Sequence, residues 1–192
     1  AYAQTGLLPA DLDNTFGTNS TGIVNTGQFG FIREVKVNSR DEIVINQAWS
    51  MTLHKADGSL IRTINCPFSF CQTLTIQSDD YIVWAGISSG GEMGIARFDP
   101  HLNIDQSFGT NGMATYRISN SIWNYPAAIA MKGSQIVVVG NAGTSFHDAK
   151  QFVARFNADG TPDFSFGGLG YTLERSASLF TANSVALLLN DI

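Results

Sequence analysis

Charged side chains are scarce in this chain of 192 residues: they make up 14% of it, against about a quarter in an ordinary soluble domain. Helix surfaces are usually rich in Glu and Lys, so the shortage argues against helices. The many Gly, Asn, Ser and Thr suit short strands joined by polar turns instead. No run of Lys or Arg occurs and the net charge is −5, which argues against a phosphate-backbone contact and so against nucleic acid as a partner. No apolar stretch approaches the ~18 residues of a membrane-spanning helix. Histidine is limited to three residues. Gly-x-Ser-x-Gly, Cys-x-x-Cys and a glycine-rich phosphate loop opening a helix are all missing, so the sequence asks for no cofactor and no metal.

Cysteine occurs twice, at Cys66 and Cys71 within CPFSFC. Four intervening residues allow a local disulfide loop; two buried free thiols are the alternative. The opening AYAQTG has the small-x-small pattern of a signal cleavage region. Together these place the chain outside the cytoplasm: secreted, periplasmic or on the cell surface.

What the chain has in abundance is repetition, which is sought before any other pattern. ARFDPHLNIDQSFGTNG begins at Ala96, and 58 residues later ARFNADGTPDFSFGGLG begins at Ala154. Upstream of each lies an apolar stretch ending in glycine, IVWAG and IVVVG, and EIVINQ from Glu42 is a third copy. Period-2 alternation and turn residues give four strands per unit. Strand A falls at 34–37, 73–77 and 127–131, and strand B at 43–48, 81–86 and 135–140. Strand C falls at 51–55, 94–98 and 151–156, and strand D at 60–64, 113–118 and 171–174. The units run roughly 28–64, 73–118 and 127–174, with lone strands near 22–25 and 182–189. Four antiparallel strands in about fifty residues is the size of one propeller blade.

The pattern of a strand ending in Gly, then A-R-F-N-x-D-G-x-x-D-x-x-F-G, resembles the delta-60 repeat β-propeller family of mostly bacterial proteins. The resemblance covers nearly the whole chain. It is strongest in the third unit and degenerate in the first, where LHKADGSLIRTI keeps Asp57-Gly58 but has lost Phe-Gly. It implies an all-β propeller of four-stranded antiparallel blades and no single activity.

The motif Asp-x-x-Phe-Gly has a physical reading. Asp13, Asp105 and Asp163 accept backbone N–H bonds and start Asx-type turns. Phe16, Phe108 and Phe166 are wedges for burial between blades. Gly17, Gly109 and Gly167 permit a positive φ where the chain swings to the next strand. A calcium loop needs more oxygens at alternating positions than DGTPDFSFG supplies. Arg97 and Arg155, repeated with the fold, pair with the motif's Asp or stack on an aromatic ring.

Catalytic chemistry finds little support. His101 lies in the turn DPHLN, and His54 stands where the other units have Phe98 and Phe156. His147 adjoins Asp148, but one His with one Asp is not a site. Glu92, Asp148, Asp79 and Asp80 offer carboxylates, yet nothing singles out a glycosidase pair. Aromatic residues are the stronger signal. Trp123 and Tyr125 precede strand A of the third unit, Phe68 and Phe70 that of the second, Phe29 and Phe31 that of the first, and Phe180 the fourth. Rings with Asn and Ser make a surface for protein or carbohydrate contact; packing between blades is the competing use. Trp123, Tyr125 and His147 are the candidate ligand-binding residues. The sequence therefore predicts an exported binding or scaffold module. The alternatives are part of a polysaccharide hydrolase or lyase, or an assembly subunit.

After ANSVALLLNDI the strands B and C of a fourth unit do not follow. A fragment of a longer propeller, closure with another copy or a second polypeptide, and a small open propeller all remain. Open edges favour pairing with another chain, so the isolated chain is expected to self-associate.

Overall fold

The computed structural model of the chain describes residues 12–17, 21–28, 30–145 and 148–174. Twelve strands in these residues form three sheets, each a four-stranded antiparallel meander in chain order. The first holds β1 (Ile32–Val37), β2 (Ile43–Gln47), β3 (Ser50–His54) and β4 (Leu60–Asn65). The second holds β5 (Phe70–Ile76), β6 (Ile82–Ile87), β7 (Met93–Phe98) and β8 (Met113–Tyr116). The third holds β9 (Trp123–Lys132), β10 (Gln135–Gly143), β11 (Lys150–Phe156) and β12 (Tyr171–Leu173). Residues 21–28 carry no strand, and 182–189 lie outside the described residues.

Period-2 alternation decides how the sheets stack. On β6, Ile82 and Trp84 pack with Val44, Met51 and Leu53 of the first sheet. The intervening Val83 and Ala85 pack with Ile136, Val138 and Phe152 of the third. The second sheet therefore gives one face to the first sheet and the other to the third, and the cores lie between sheets. The chain is all-β, built of β-propeller blades. A buried polar chain crosses the first seam: Trp84 Nε1 donates to Asn46 Oδ1 at 2.9 Å, and Asn46 Nδ2 donates to the Gln72 carbonyl at 3.0 Å.

The first strand of each blade breaks register at the same place, opposite Gln47, Gly86 and Gly140. The extra residues are Arg33, Gln72 and Ala127. Such bulges re-aim side chains at the end of a sheet.

Candidate functional site

The three copies of the Asp-x-x-Phe-Gly motif fold alike. Asp105 Oδ1 accepts from Ser107 N at 3.0 Å, Asp163 Oδ1 from Ser165 N at 3.0 Å, and Asp13 Oδ1 from Thr15 N at 2.8 Å. Phe16, Phe108 and Phe166 each donate N–H to the carbonyl of their own Asp. Gly17, Gly109 and Gly167 all have positive φ, at 83°, 55° and 61°. Arg97 Nε binds Asp105 Oδ2 at 2.7 Å while its guanidinium lies 4.8 Å from the Phe108 ring centroid. Arg155 repeats both contacts with Asp163 and Phe166. Pairing and stacking thus occur together.

Phe108 is fully buried, and its ring lies against the turn of the next blade, where a Cβ on Gly160 would meet the ring at 2.7 Å. The same seam carries Gly109 N–H to Asp159 O at 2.7 Å and Arg97 Nη1 to Ala158 O at 2.7 Å. These three contacts form a latch between the second and third blades.

The seam between the first and second blades reaches the same end with other residues, because the first unit has no Phe-Gly. The receiving turn is Asp99–Asn103, where Leu102 takes a φ of 62° at the place of Gly160. Leu102 is 1% exposed and joins the core between the two blades, filling the space a Phe ring occupies at the other seam. Arg40 Nη2 donates to Pro100 O at 2.9 Å, and Arg62 Nη1 to His101 O at 2.9 Å. Two side-chain cations replace the guanidinium and the glycine N–H of the latch.

At the end of the blades where the second strand turns into the third, the contacts differ in kind. Gln47 pairs with Ser50, so β2 and β3 join through two residues, Ala48 and Trp49. A two-residue hairpin leaves its tip in solvent, and Trp49 is 52% exposed. The connection from β4 to β5 is stapled across it: Cys66 and Cys71 are disulfide-bonded with Cα atoms 5.9 Å apart. Cys66 N–H donates to Trp49 O at 2.8 Å and Cys71 N–H to Ala48 O at 2.9 Å. The staple thereby fixes Phe70, whose ring meets Trp49 edge-on at 5.7 Å and 81°. Arg33, the bulge residue of β1, places its guanidinium 5.0 Å from the Phe70 centroid. Gly30 abuts the indole, and Phe31 beside it is 75% exposed. Trp49, Phe70 and Arg33 form one preorganised aromatic and cationic platform, and exposed Phe31 follows Gly30 in the chain at its margin.

The residues singled out from sequence distribute unevenly around it. Tyr125 is half-buried on β9, its hydroxyl donating to Gln72 Oε1 at 2.7 Å; Gln72 Nε2 is buried without a partner. Trp123 is half-buried at the start of β9. His147, Phe29 and Phe180 lie outside the described residues. Phe68 is packing rather than surface, its ring filling the space over Gly94. His54 is 2% exposed and bound to Gly58 O and Thr52 Oγ1.

The candidate carboxylates serve as acceptors in loops. Thr144 Oγ1 and the N–H groups of Ser145 and Thr144 push Asp148 down to about 2. The Ser88 hydroxyl and Arg117 hold Glu92 below the ordinary carboxylate range. Ser39 does the same for Asp80 across the first seam, and Asp79 caps Tyr81 N–H. No cluster of three metal-ligating side chains forms among the described residues, and no helix there is long and apolar enough to cross a membrane. Trp49 and Arg33 escaped sequence reading. A large apolar residue at a two-residue hairpin tip was the signal for the first; the bulge that aims the second has no sequence mark.

No protein-family model and no curated protein matches this chain. Several solved structures are similar to it. A protein of unknown function from Bacteroides caccae is 16% identical, with a TM-score of 0.55, over 87% of this chain and 52% of its own. The Pan2 WD40 domain of Neurospora crassa gives 11% identity and a TM-score of 0.45 over 66% of this chain and 32% of its own. The Dos1 propeller gives 14% and 0.47 over 68% and 34%. The chain spans about half or less of the length of these structures.

Proposed function

We propose that the chain is a protein-binding propeller module that uses the platform of Trp49, Phe70 and Arg33, with Phe31 at its margin, as its contact surface. The observation that carries this reading is the staple. Both cysteine N–H groups hold the hairpin tip, so an exposed indole is fixed before any partner arrives. Trp and Arg are the side chains that concentrate binding energy at protein interfaces, and preorganisation lowers the entropy cost of association. Apolar exposure at Phe31 and Ile32 suits a protein surface better than a sugar, which would need a denser set of hydrogen-bonding groups. A disulfide persists in oxidising compartments, which supports an exported location. The motif with its repeating structural roles supports membership of the delta-60 repeat family.

The test is capture from an extracellular protein fraction by immobilised chain, run beside a glycan array. A protein retained by the native chain and lost with Trp49→Ala, at unchanged melting temperature, supports the reading. Retention of a glycan, lost with the same substitution, replaces the protein partner with a carbohydrate one. Capture insensitive to Trp49→Ala removes the platform from the account.

A further inference from the structure

The bulge residues Arg33 and Gln72 both lean toward the blade that follows their own. Gln72 of the second blade meets Tyr125 of the third through its Oε1 at 2.7 Å. Arg33 of the first lies 5.0 Å from the ring centroid of Phe70 in the second. The Arg33 side chain therefore belongs to a seam whose two blades are both described. Its hydrogen bonding sets it apart. Arg40, Arg97, Arg117 and Arg155 each bind a carboxylate, and Arg62 binds His101 O and Asn103 Oδ1. Among the described arginines, Arg33 alone makes neither an ion pair nor a hydrogen bond, although it is exposed and held against a ring.

A cation–π contact draws on the charge of a guanidinium and not on its N–H donors, so the donors of Arg33 stay open. Their planar fork matches a carboxylate, which it binds through two parallel hydrogen bonds. The carboxylate next to it in sequence is spent elsewhere: Glu34 pairs with Lys36 at 2.9 Å and accepts from Leu74 N and Thr73 Oγ1 of the second blade. Capture of a chain terminus would need backbone N–H groups gathered beside the cation. Here the N–H groups of Cys66, Ser69 and Cys71 are committed to Trp49 O, Ile87 O and Ala48 O. An acidic side chain is the group that fits. Trp49 meets the same Phe70 ring edge-on at 5.7 Å and is half exposed. Residues two apart in an extended segment lie on one side of it, about 7 Å from each other, so a single segment reaches both the indole and the guanidinium. The net charge of −5 offers an acidic partner no general attraction, so the preference is local to Arg33.

We infer that the platform selects an extended segment of a protein partner in which an acidic residue stands two positions from an aromatic or large apolar one. The inference rests on the protein-binding reading of the platform and names the chemistry that it recognises. The acidic side chain docks on the Arg33 fork and the apolar one packs on Trp49. Phe70, fixed by the disulfide beside it, holds the two contacts at one spacing. Gln72, at the same bulge of the second blade, is uncharged, buried and bonded to Tyr125, so the selectivity sits at the first seam.

Selection from a displayed library of random short peptides against the immobilised full chain tests this, followed by fluorescence polarisation of the enriched sequences synthesised with amidated C-termini. Enriched peptides are expected to carry Asp or Glu two positions from an aromatic or large apolar residue. Replacing that acid by its amide is expected to weaken binding by roughly 10-fold or more, the loss of a hydrogen bond between charged groups. Arg33→Gln is expected to weaken the acidic peptide by a similar factor and to leave the amide form unchanged. Circular dichroism melts verify that Arg33→Gln and Trp49→Ala fold. Binding lost with Trp49→Ala but indifferent to Arg33→Gln overturns the inference and leaves the platform standing as a protein contact. So does binding that requires a free C-terminal carboxylate. Failure of the platform itself has a different mark: peptides whose binding survives both substitutions, or no enrichment at all, and the inference falls with it.

Discussion

Single residues in this molecule are chosen by what lies across a seam. Gly160 needs both its positive φ and its missing Cβ, since Phe108 occupies the space the Cβ would take. Gly133 has a positive φ of 59° but open space around it. Comparing Gly160→Ala with Gly133→Ala separates the two demands. The second is expected to cost about 1 kcal/mol for backbone strain. The first is expected to cost about 1–3 kcal/mol more, from overpacking, in urea unfolding. Leu102 occupies the same position at the other seam without clash because no ring competes for the space, and Leu102→Ala is expected to cost about 2–5 kcal/mol. The latch aspartates add a pH dependence. Burial raises the Asp105 pKa, but Ser107 and Arg97 outweigh it, and the carboxyl ends below its ordinary value. Ser165 and then Arg155 depress Asp163 in the same way. A carboxylate depressed in the folded state stabilises fully above its unfolded pKa of about 4. That contribution is lost as pH falls through the folded value. Melting temperature measured from pH 6 to pH 2 should therefore drop below pH 4, and less steeply in an Asp105→Asn, Asp163→Asn double variant.

At the scale of elements, the disulfide loop couples stability to the platform. Replacing Cys66 and Cys71 by Ser opens a loop of about six residues, for which chain entropy gives a loss of about 2 kcal/mol. The same change removes the cross-link that keeps the two backbone N–H groups of residues 66 and 71 on the Trp49 hairpin, so partner capture should fall even where the blades remain folded at 25 °C. Chemical denaturation and the capture assay together read the two effects. Strands were legible in the sequence because alternation and turn residues act within a few positions: β2, β6 and β10 lie within a residue or so of where Val/Ile alternation put them, apart from the longer end of β10. The degenerate first unit shows the limit. That Arg40, Arg62 and Leu102 take over the work of an absent Phe-Gly depends on contacts between residues 39 to 60 positions apart, which no local pattern encodes. The platform was half legible. Phe70 and Phe31 stood out as aromatics before the first strand of a blade, while Phe68, marked with them, turned inward because Gly94 leaves it room. Trp49 and Arg33 became visible only when hairpin length and strand register were fixed.

On the scale of the whole molecule, blades that share cores pairwise make the seams the units of cohesion. Each blade is a thin sheet with little interior of its own, so stability passes from neighbour to neighbour. Two seams in the described residues use different chemistry at one geometry, a Phe ring over Gly160 and a Leu side chain from position 102. The most direct measurement of this account is a crystal structure of the chain at a resolution that fixes side chains. The Phe108 ring is expected against Gly160 with Arg97 on the Ala158 carbonyl, and Leu102 buried at the preceding seam beneath Arg40 and Arg62. Phe108 turned to solvent, or the second and third sheets joined edge to edge in one continuous sheet, would contradict it.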